Sequence, residues 1–295
     1  MSTRWLTLHI STLGVVLCFG SRAFAQAEGI MKQDAASSGA TDVGKGGFEA
    51  VAAEDEATAK DALELKISAG GMQSTGNSRS LAATASGQFR LRRELNQLSA
   101  AAAANYARAA ANRNEDTATT VENFQGKVRY DRFVLENLAV FLATTARRDR
   151  FQGLDLRLNV DPGVAYYFVD QKKHQLWVEL GYDFQYDVRN QDGIDAAAAT
   201  GVEVDKTDVQ HSVRSFVGYS NSLNEAVTFD TGVEHLQGVP ETEKWRLNWD
   251  VGLTSKIGGN FSLATTFSLK YDHAPLPEVE ELDTITALSL VYQLL

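Results

Sequence analysis

The chain has 295 residues, 22% of them charged, with a formal net charge of −10. That acidity argues against a nucleic-acid partner, which needs a basic surface. Its one cysteine, Cys18, leaves no disulfide framework and no cysteine-built metal centre.

The N-terminus reads as a secretory signal. Arg4 is a minimal positive region, Leu13, Val15, Val16, Leu17, Cys18 and Phe19 form a short apolar core, and Ala23-Phe24-Ala25 is a small-x-small cleavage site. Leu17 is too large to precede a lipidated cysteine, so Cys18 leaves with residues 1–25. Removing Arg4 and Arg22 takes the formal charge from −10 to −12. Residues 26–60 follow with small and acidic stretches such as Gln33 to Ala40 and Ala53-Glu54-Asp55-Glu56. That composition cannot bury a core, and a flexible periplasmic lead-in is expected.

From residue 61 to the end the chain alternates. Trp245, Leu247, Trp249, Val251 and Leu253 occupy every second position, with Arg246, Asn248, Asp250, Gly252 and Thr254 between them. Leu176, Val178, Leu180, Tyr182, Phe184 and Tyr186 interleave in the same way with Trp177, Glu179, Gly181, Asp183, Gln185 and Asp187. A strand turns successive side chains to opposite faces. One face is therefore apolar and the other fully charged. In a soluble sandwich the apolar face is the core; in a membrane barrel it faces lipid and the charged face lines the lumen. After residue 25 no run approaches the ~18 apolar residues a membrane helix needs, so a membrane protein built this way must be a barrel.

The alternation predicts about twelve strands, near 62–74, 80–92, 98–111, 118–132, 138–150, 154–169, 174–189, 206–220, 226–238, 243–256, 260–273 and 283–294. Every second connection is tight and rich in Asn or Gly, placing Asn96, Asn137, Asn224 and Asn260 at short turns, where positive φ is tolerated. The other connections include the longest, 190–205 above all. Short periplasmic turns and longer external loops are the habit of outer-membrane barrels. The expected fold is an all-β, closed, transmembrane antiparallel barrel of about 12 strands with both termini periplasmic. Phe184, Tyr186, Trp245, Trp249, Tyr271 and Tyr292 suit the membrane interface. The apolar alternation Thr286, Leu288, Leu290, Tyr292, Leu294 matches, in part, the terminal strand by which barrel-insertion machinery recognises its clients.

The stretch Asn137 to Phe168 carries a family resemblance, most specifically Asp149-Arg150-Phe151 with Leu154-Asp155-Leu156-Arg157, and then Gly163-Val164-Ala165-Tyr166-Tyr167-Phe168. With Ser74-Thr75-Gly76-Asn77-Ser78 it resembles the YdiY-like family of salt-induced outer membrane proteins, a domain-of-unknown-function family of β-barrels. The resemblance spans about residues 62–295. It implies an outer-membrane barrel and no established activity.

Catalytic equipment is sparse. A serine hydrolase dyad on one strand face needs His and Ser two residues apart. His211 has Ser212 on the opposite face and Ser215 four residues away; His174, His235 and His273 have no better neighbour. No cofactor or metal motif is present. The four acids between Asp192 and Asp205 lack coordination spacing, and that segment reads as a mobile solvated loop.

The inward set is richer. Alternation gives Glu64, Lys66, Arg147, Asp149, Asp155, Arg157 and Glu179, then Asp183, Asp187, Arg214, Asp230, Glu234, Arg246 and Asp250, with Arg90, Lys127, Arg129 and Lys270. Two arrangements fit. The charges line a narrow pore for small ions, or they pair across the barrel and fill it. In an open pore the acids give a weak cation preference. An Arg at Leu180 or Leu247 is expected to cost far more than one at Glu179 or Asn248. Arg108, Arg148 and Arg150 point outward near the external rim, at the height of lipopolysaccharide phosphates. The leading function is a non-enzymatic envelope barrel in the outer membrane of a Gram-negative cell, among lipids including lipopolysaccharide. A lipid-modifying or proteolytic barrel enzyme and a periplasmic soluble β-sandwich binding module are the alternatives.

Overall fold

The computed structural model describes residues 61–74, 79–110, 116–171, 173–275 and 281–294. The expected signal peptide, the lead-in at 26–60 and the Thr75-Gly76-Asn77-Ser78 turn lie outside the described residues. The strands are β1 (Asp61–Ser74), β2 (Arg79–Arg93), β3 (Asn96–Ala110), β4 (Ala118–Leu135), β5 (Leu138–Asp149) and β6 (Leu154–Asp170). They continue as β7 (His174–Arg189), β8 (Thr207–Ser222), β9 (Val227–Gly238), β10 (Trp245–Gly258), β11 (Phe261–Asp272) and β12 (Leu282–Gln293). Each pairs antiparallel with its sequence neighbours. β1 and β12 close the barrel from Lys66↔Gln293 to Ala69↔Leu290. One closed sheet replaces the two packed sheets that a sandwich requires, and the soluble-sandwich alternative falls with it.

The two faces separate as the alternation demands. On β4, Lys127, Arg129 and Asp131 are 2%, 5% and 0% exposed, whereas their neighbours Val128 and Tyr130 are 53% and 46% exposed. A fold with charge inside and aliphatic side chains outside is stable only where the outside solvent is apolar.

Both described ends of the barrel sheet lie at the end that carries the tight turns. There the β2–β3 turn takes its positive φ (49°) at Glu94, not at an asparagine; Asn96 begins β3 and its side-chain oxygen accepts from Tyr130 Oη at 2.7 Å. Gly259 supplies positive φ (54°) to the β10–β11 turn. Asn224 shapes the β8–β9 turn by accepting from the N–H groups of Ala226 and Val227 at 2.8 and 2.9 Å.

The opposite end carries the longer connections, and one of them corrects the sequence reading. Residues Gln191–Ala199 form a helix, α1, rather than a mobile solvated loop. Asn190 caps it, accepting from Gly193 N–H at 2.8 Å while its amide donates to the Arg150 carbonyl at 2.8 Å. The cap therefore ties α1 to the β5–β6 connection, and four successive alanines from Ala196 favour the helix.

Glycines on the inner wall receive aromatic rings from the neighbouring strand. Trp177 of β7 lies against Gly218 of β8, Phe216 of β8 against Gly232 of β9, and Phe141 of β5 against Gly163 of β6. Phe133, Tyr167, Trp177 and Phe216 follow one another across the lumen with centroids 5.9, 6.3 and 6.0 Å apart. A methyl group at 218 would occupy the space of the Trp177 ring. Gly218→Ala is thus expected to cost about 1–3 kcal/mol through overpacking. Gly126→Ala, whose nearest obstacle is a carbonyl at 4.0 Å, should cost clearly less. Urea midpoints of the two refolded variants compare them, and equal midpoints would remove the packing argument.

Candidate functional site

The lumen is crossed by a chain of ion pairs. Arg129 of β4 holds Asp131 at 2.7 Å and reaches Glu179 of β7 at 2.7 Å. Glu179 also receives Arg214 of β8 at 2.8 Å; Arg214 binds Glu234 of β9 at 2.7 Å, and Asn248 of β10 donates to Glu234 at 2.9 Å. The jump from β4 to β7 spans two strands. It is open to Arg129 because Ala143, Gly163 and Ala165 are small at that level. The guanidinium crosses the face of Phe141 at 4.0 Å from the ring centroid. Every member of this chain is buried. In so dry a setting a charge left without its partner is expensive.

Nearer the long loops a second layer forms. Arg157 binds Asp187 through two N–H groups at 2.8 and 2.7 Å, a bidentate fork. Arg147 holds Asp149 at 2.9 Å, and Asp149 also accepts from the N–H groups of Phe151 and Gln152, which fixes the β5–β6 turn. Asn159 donates to Asp183 at 2.7 Å, and Arg246 approaches the other Asp183 oxygen at 3.9 Å. At the opposite end, by the tight β8–β9 turn, Asp230 accepts from Ser220 at 2.7 Å. On the other side of the barrel Arg90 meets Glu64 at 3.0 Å, and Lys66 is half-buried beside them on β1.

Asp155 stands apart from this set. The β6–β7 register shifts between Leu154 and Leu156, so Leu154 turns inward and Asp155 is exposed, 3.3 Å from Lys206. Asp250 and Lys270 face inward from β10 and β11. At the outer rim Arg148 and Arg150 each lie 3.7 Å from Glu122, and Arg150 is 3.9 Å from Asp192. Arg108 donates to the Thr117 carbonyl at 3.4 Å and to its hydroxyl. All three guanidiniums stay exposed at the long-loop end.

His211 lies on the outer face, hydrogen-bonded to Tyr182 and tilted against Phe184, whereas Ser212 faces the lumen. His235 and His273 pack on Trp245. Among the described residues no three His, Cys, Asp or Glu side chains cluster as a metal site.

The inward acids Glu179, Glu234 and Asp187 are engaged by arginines. Asp131, Asp161, Gln125 and Asn159 are buried lumen residues that the sequence reading did not name. Continuing the alternation from Lys127 and Arg157 would have found them all.

The inner wall is uneven. From β4 to β10 the mid-strand inward charged side chains are buried, packed over small residues such as Ala143, Gly163 and Gly218. On β11, β12, β1 and β2 they are small, as at Thr266, Ser268, Ser289, Ser68, Thr84 and Ser86, and only half-buried. Even the long side chains of Lys66, Gln88 and Lys270 keep accessible surface there.

A closed antiparallel barrel with an aliphatic exterior and an ion-paired interior belongs to the class of membrane β-barrels. Residues 67–294 match the family described as "Protein of unknown function, DUF481", and the chain belongs to that family. Solved structures similar to it are outer-membrane barrels. They include the NanC porin (12% identity over 79% of this chain and 100% of that one, TM-score 0.49). The COG4313 outer membrane channel from Pseudomonas putida F1 is 12% identical over 79% of this chain and 97% of that one, with a TM-score of 0.44. Outer membrane phospholipase A from Escherichia coli is 10% identical over 82% and 95%, with a TM-score of 0.42. No curated protein sequence matches the chain.

Proposed function

We propose that this protein is a non-enzymatic outer-membrane barrel that passes water and small ions through a narrow channel set off-centre in its lumen. The observation that carries this reading is the uneven inner wall. Ion-paired side chains fill the β4–β10 side, while hydroxyl-bearing small residues on β11, β12, β1 and β2 leave accessible surface. The passage is walled by Ser68, Ser86, Thr84 and Thr266, with Lys66, Gln88 and Lys270 beside it, rather than by the acids of β7 and β9. Because the interior charges are largely engaged with one another, selectivity between ions is weak. The signal-like N-terminus and the sorting of short and long connections support an outer-membrane location with periplasmic termini. Arg108, Arg148 and Arg150 then sit at the height of lipopolysaccharide phosphates. The resemblance to salt-induced outer membrane proteins supports a role under salt or osmotic stress.

Planar-bilayer recording of refolded protein tests the passage. Ser86→Cys is expected to conduct in small steps that fall when a bulky methanethiosulfonate reagent is added. Thr145→Cys, on the packed wall, should neither react nor change. Absence of conductance in the unmodified protein would instead make this a side-chain-filled structural barrel. Equal block through both cysteines would move the passage to the centre.

A further inference from the structure

The buried carboxylates of Asp161 on β6 and Asp183 on β7 stand at the edge of the ion-pair chains, where Asp183 has only the long ion pair to Arg246 at 3.9 Å. The registers Val160↔Phe184 and Gly163↔Gly181 set the two residues opposite one another on the lumen face. Cross-strand neighbours at that spacing hold their Cβ atoms about 4.5–5.5 Å apart. Each is 1% exposed. Neither oxygen of Asp161 accepts a hydrogen bond among the described residues, nor does Oδ2 of Asp183. A second observation points the same way. Ser212, directly across from Asp183 on β8, is 1% exposed with an unpartnered hydroxyl. The Asn159 amide nitrogen is spent on Asp183 at 2.7 Å, and its own oxygen has no donor. Buried polar oxygens in such number require a partner.

The surrounding cations supply it only in part. Arg214 is committed to Glu179 and Glu234. Arg246 stands 3.9 Å from Asp183. Lys127 of β4 faces Asp161, but its one charge is shared with Glu234. Among the described residues nine carboxylates and six cations are buried.

We propose that Asp161, Asp183, Ser212 and Asn159 form an occluded site for a hard cation inside the barrel wall. The donor set is all oxygen, two carboxylates with a hydroxyl and an amide, which suits an alkali or alkaline-earth ion and not a thiophilic metal. The site lies on the packed side of the lumen, so it goes beyond the passage proposed above and does not depend on it. Its role is to neutralise the interior, so that the filled half of the barrel is stable only when loaded.

The test uses full-length refolded barrel stripped of cations and follows the temperature at which its gel migration changes. Calcium chloride and sodium chloride are titrated separately, against choline chloride at equal ionic strength. A saturable rise with one of the inorganic cations and none with choline is expected, and which of the two acts identifies the ion. Asp161→Asn should abolish that response while raising the cation-free midpoint, because the uncompensated charge is gone. Ser212→Ala removes one donor oxygen and should shift the titration to higher concentration; it carries the test if the first variant does not refold. The same response in wild type and Asp161→Asn, an unshifted titration in Ser212→Ala, or no response beyond choline would each overturn the site.

Discussion

Glu179→Arg is expected to prevent stable folding of this barrel. Alternation alone suggests the reverse, because an inward position of a wet lumen tolerates charge. The structure places Glu179 between two guanidiniums, 2.7 Å from Arg129 and 2.8 Å from Arg214, with all three side chains nearly inaccessible. Breaking one buried pair typically costs about 3–5 kcal/mol, because the surviving charge stays buried without its partner. A third cation at the same point adds repulsion in a region where Phe141 excludes water. Glu179→Gln should fold but with lowered stability, since Arg129 keeps Asp131 and Arg214 keeps Glu234. Refolding yield by gel migration and the urea midpoint in vesicles measure both variants. If Glu179→Arg folds as well as wild type, the lumen at that level is hydrated and the crossing chain is not a stabilising element.

The strands themselves were legible because two independent signals agree. β7 is expected at 174–189 and found at His174–Arg189, since period-two alternation and turn residues bound it at both ends. α1 was not read because parity of loop length drew attention to the connection as a loop; Asn190 and the alanines after Asp195 are an ordinary capping and propensity signal. Which residues face inward could be read strand by strand, and Asp155 fails only because a register shift breaks the alternation. What an inward residue touches could not be read. Arg129 and Glu179 are separated by 50 positions in sequence and by two intervening strands, so their meeting depends on closure and stagger of the whole barrel. The same holds for Trp177 and Gly218, where the glycine gains meaning only once the register sets it under the ring.

The outer face gives the complementary expectation. Leu180 is 58% exposed at mid-strand on β7, next in sequence to the most deeply paired acid of the lumen. In a bilayer that exposure is to hydrocarbon, and Leu180→Arg should cost about 2–4 kcal/mol at the midplane. Depth decides the magnitude. Phe168, 60% exposed near the tight-turn end of β6, should accept Arg at about 0–1 kcal/mol, because the side chain can reach the interface. Thr266→Arg, on the accessible part of the inner wall, should also be mild, since its charge meets water rather than lipid or a filled interior. Urea unfolding of the three variants in lipid vesicles ranks them. In water an exposed leucine is replaced by arginine at almost no cost. Equal midpoints for Leu180→Arg and Phe168→Arg would therefore deny the bilayer its role as the solvent of this face. A Thr266→Arg penalty as large as that of Leu180→Arg would close the proposed passage, because that wall would then be packed as tightly as the one opposite.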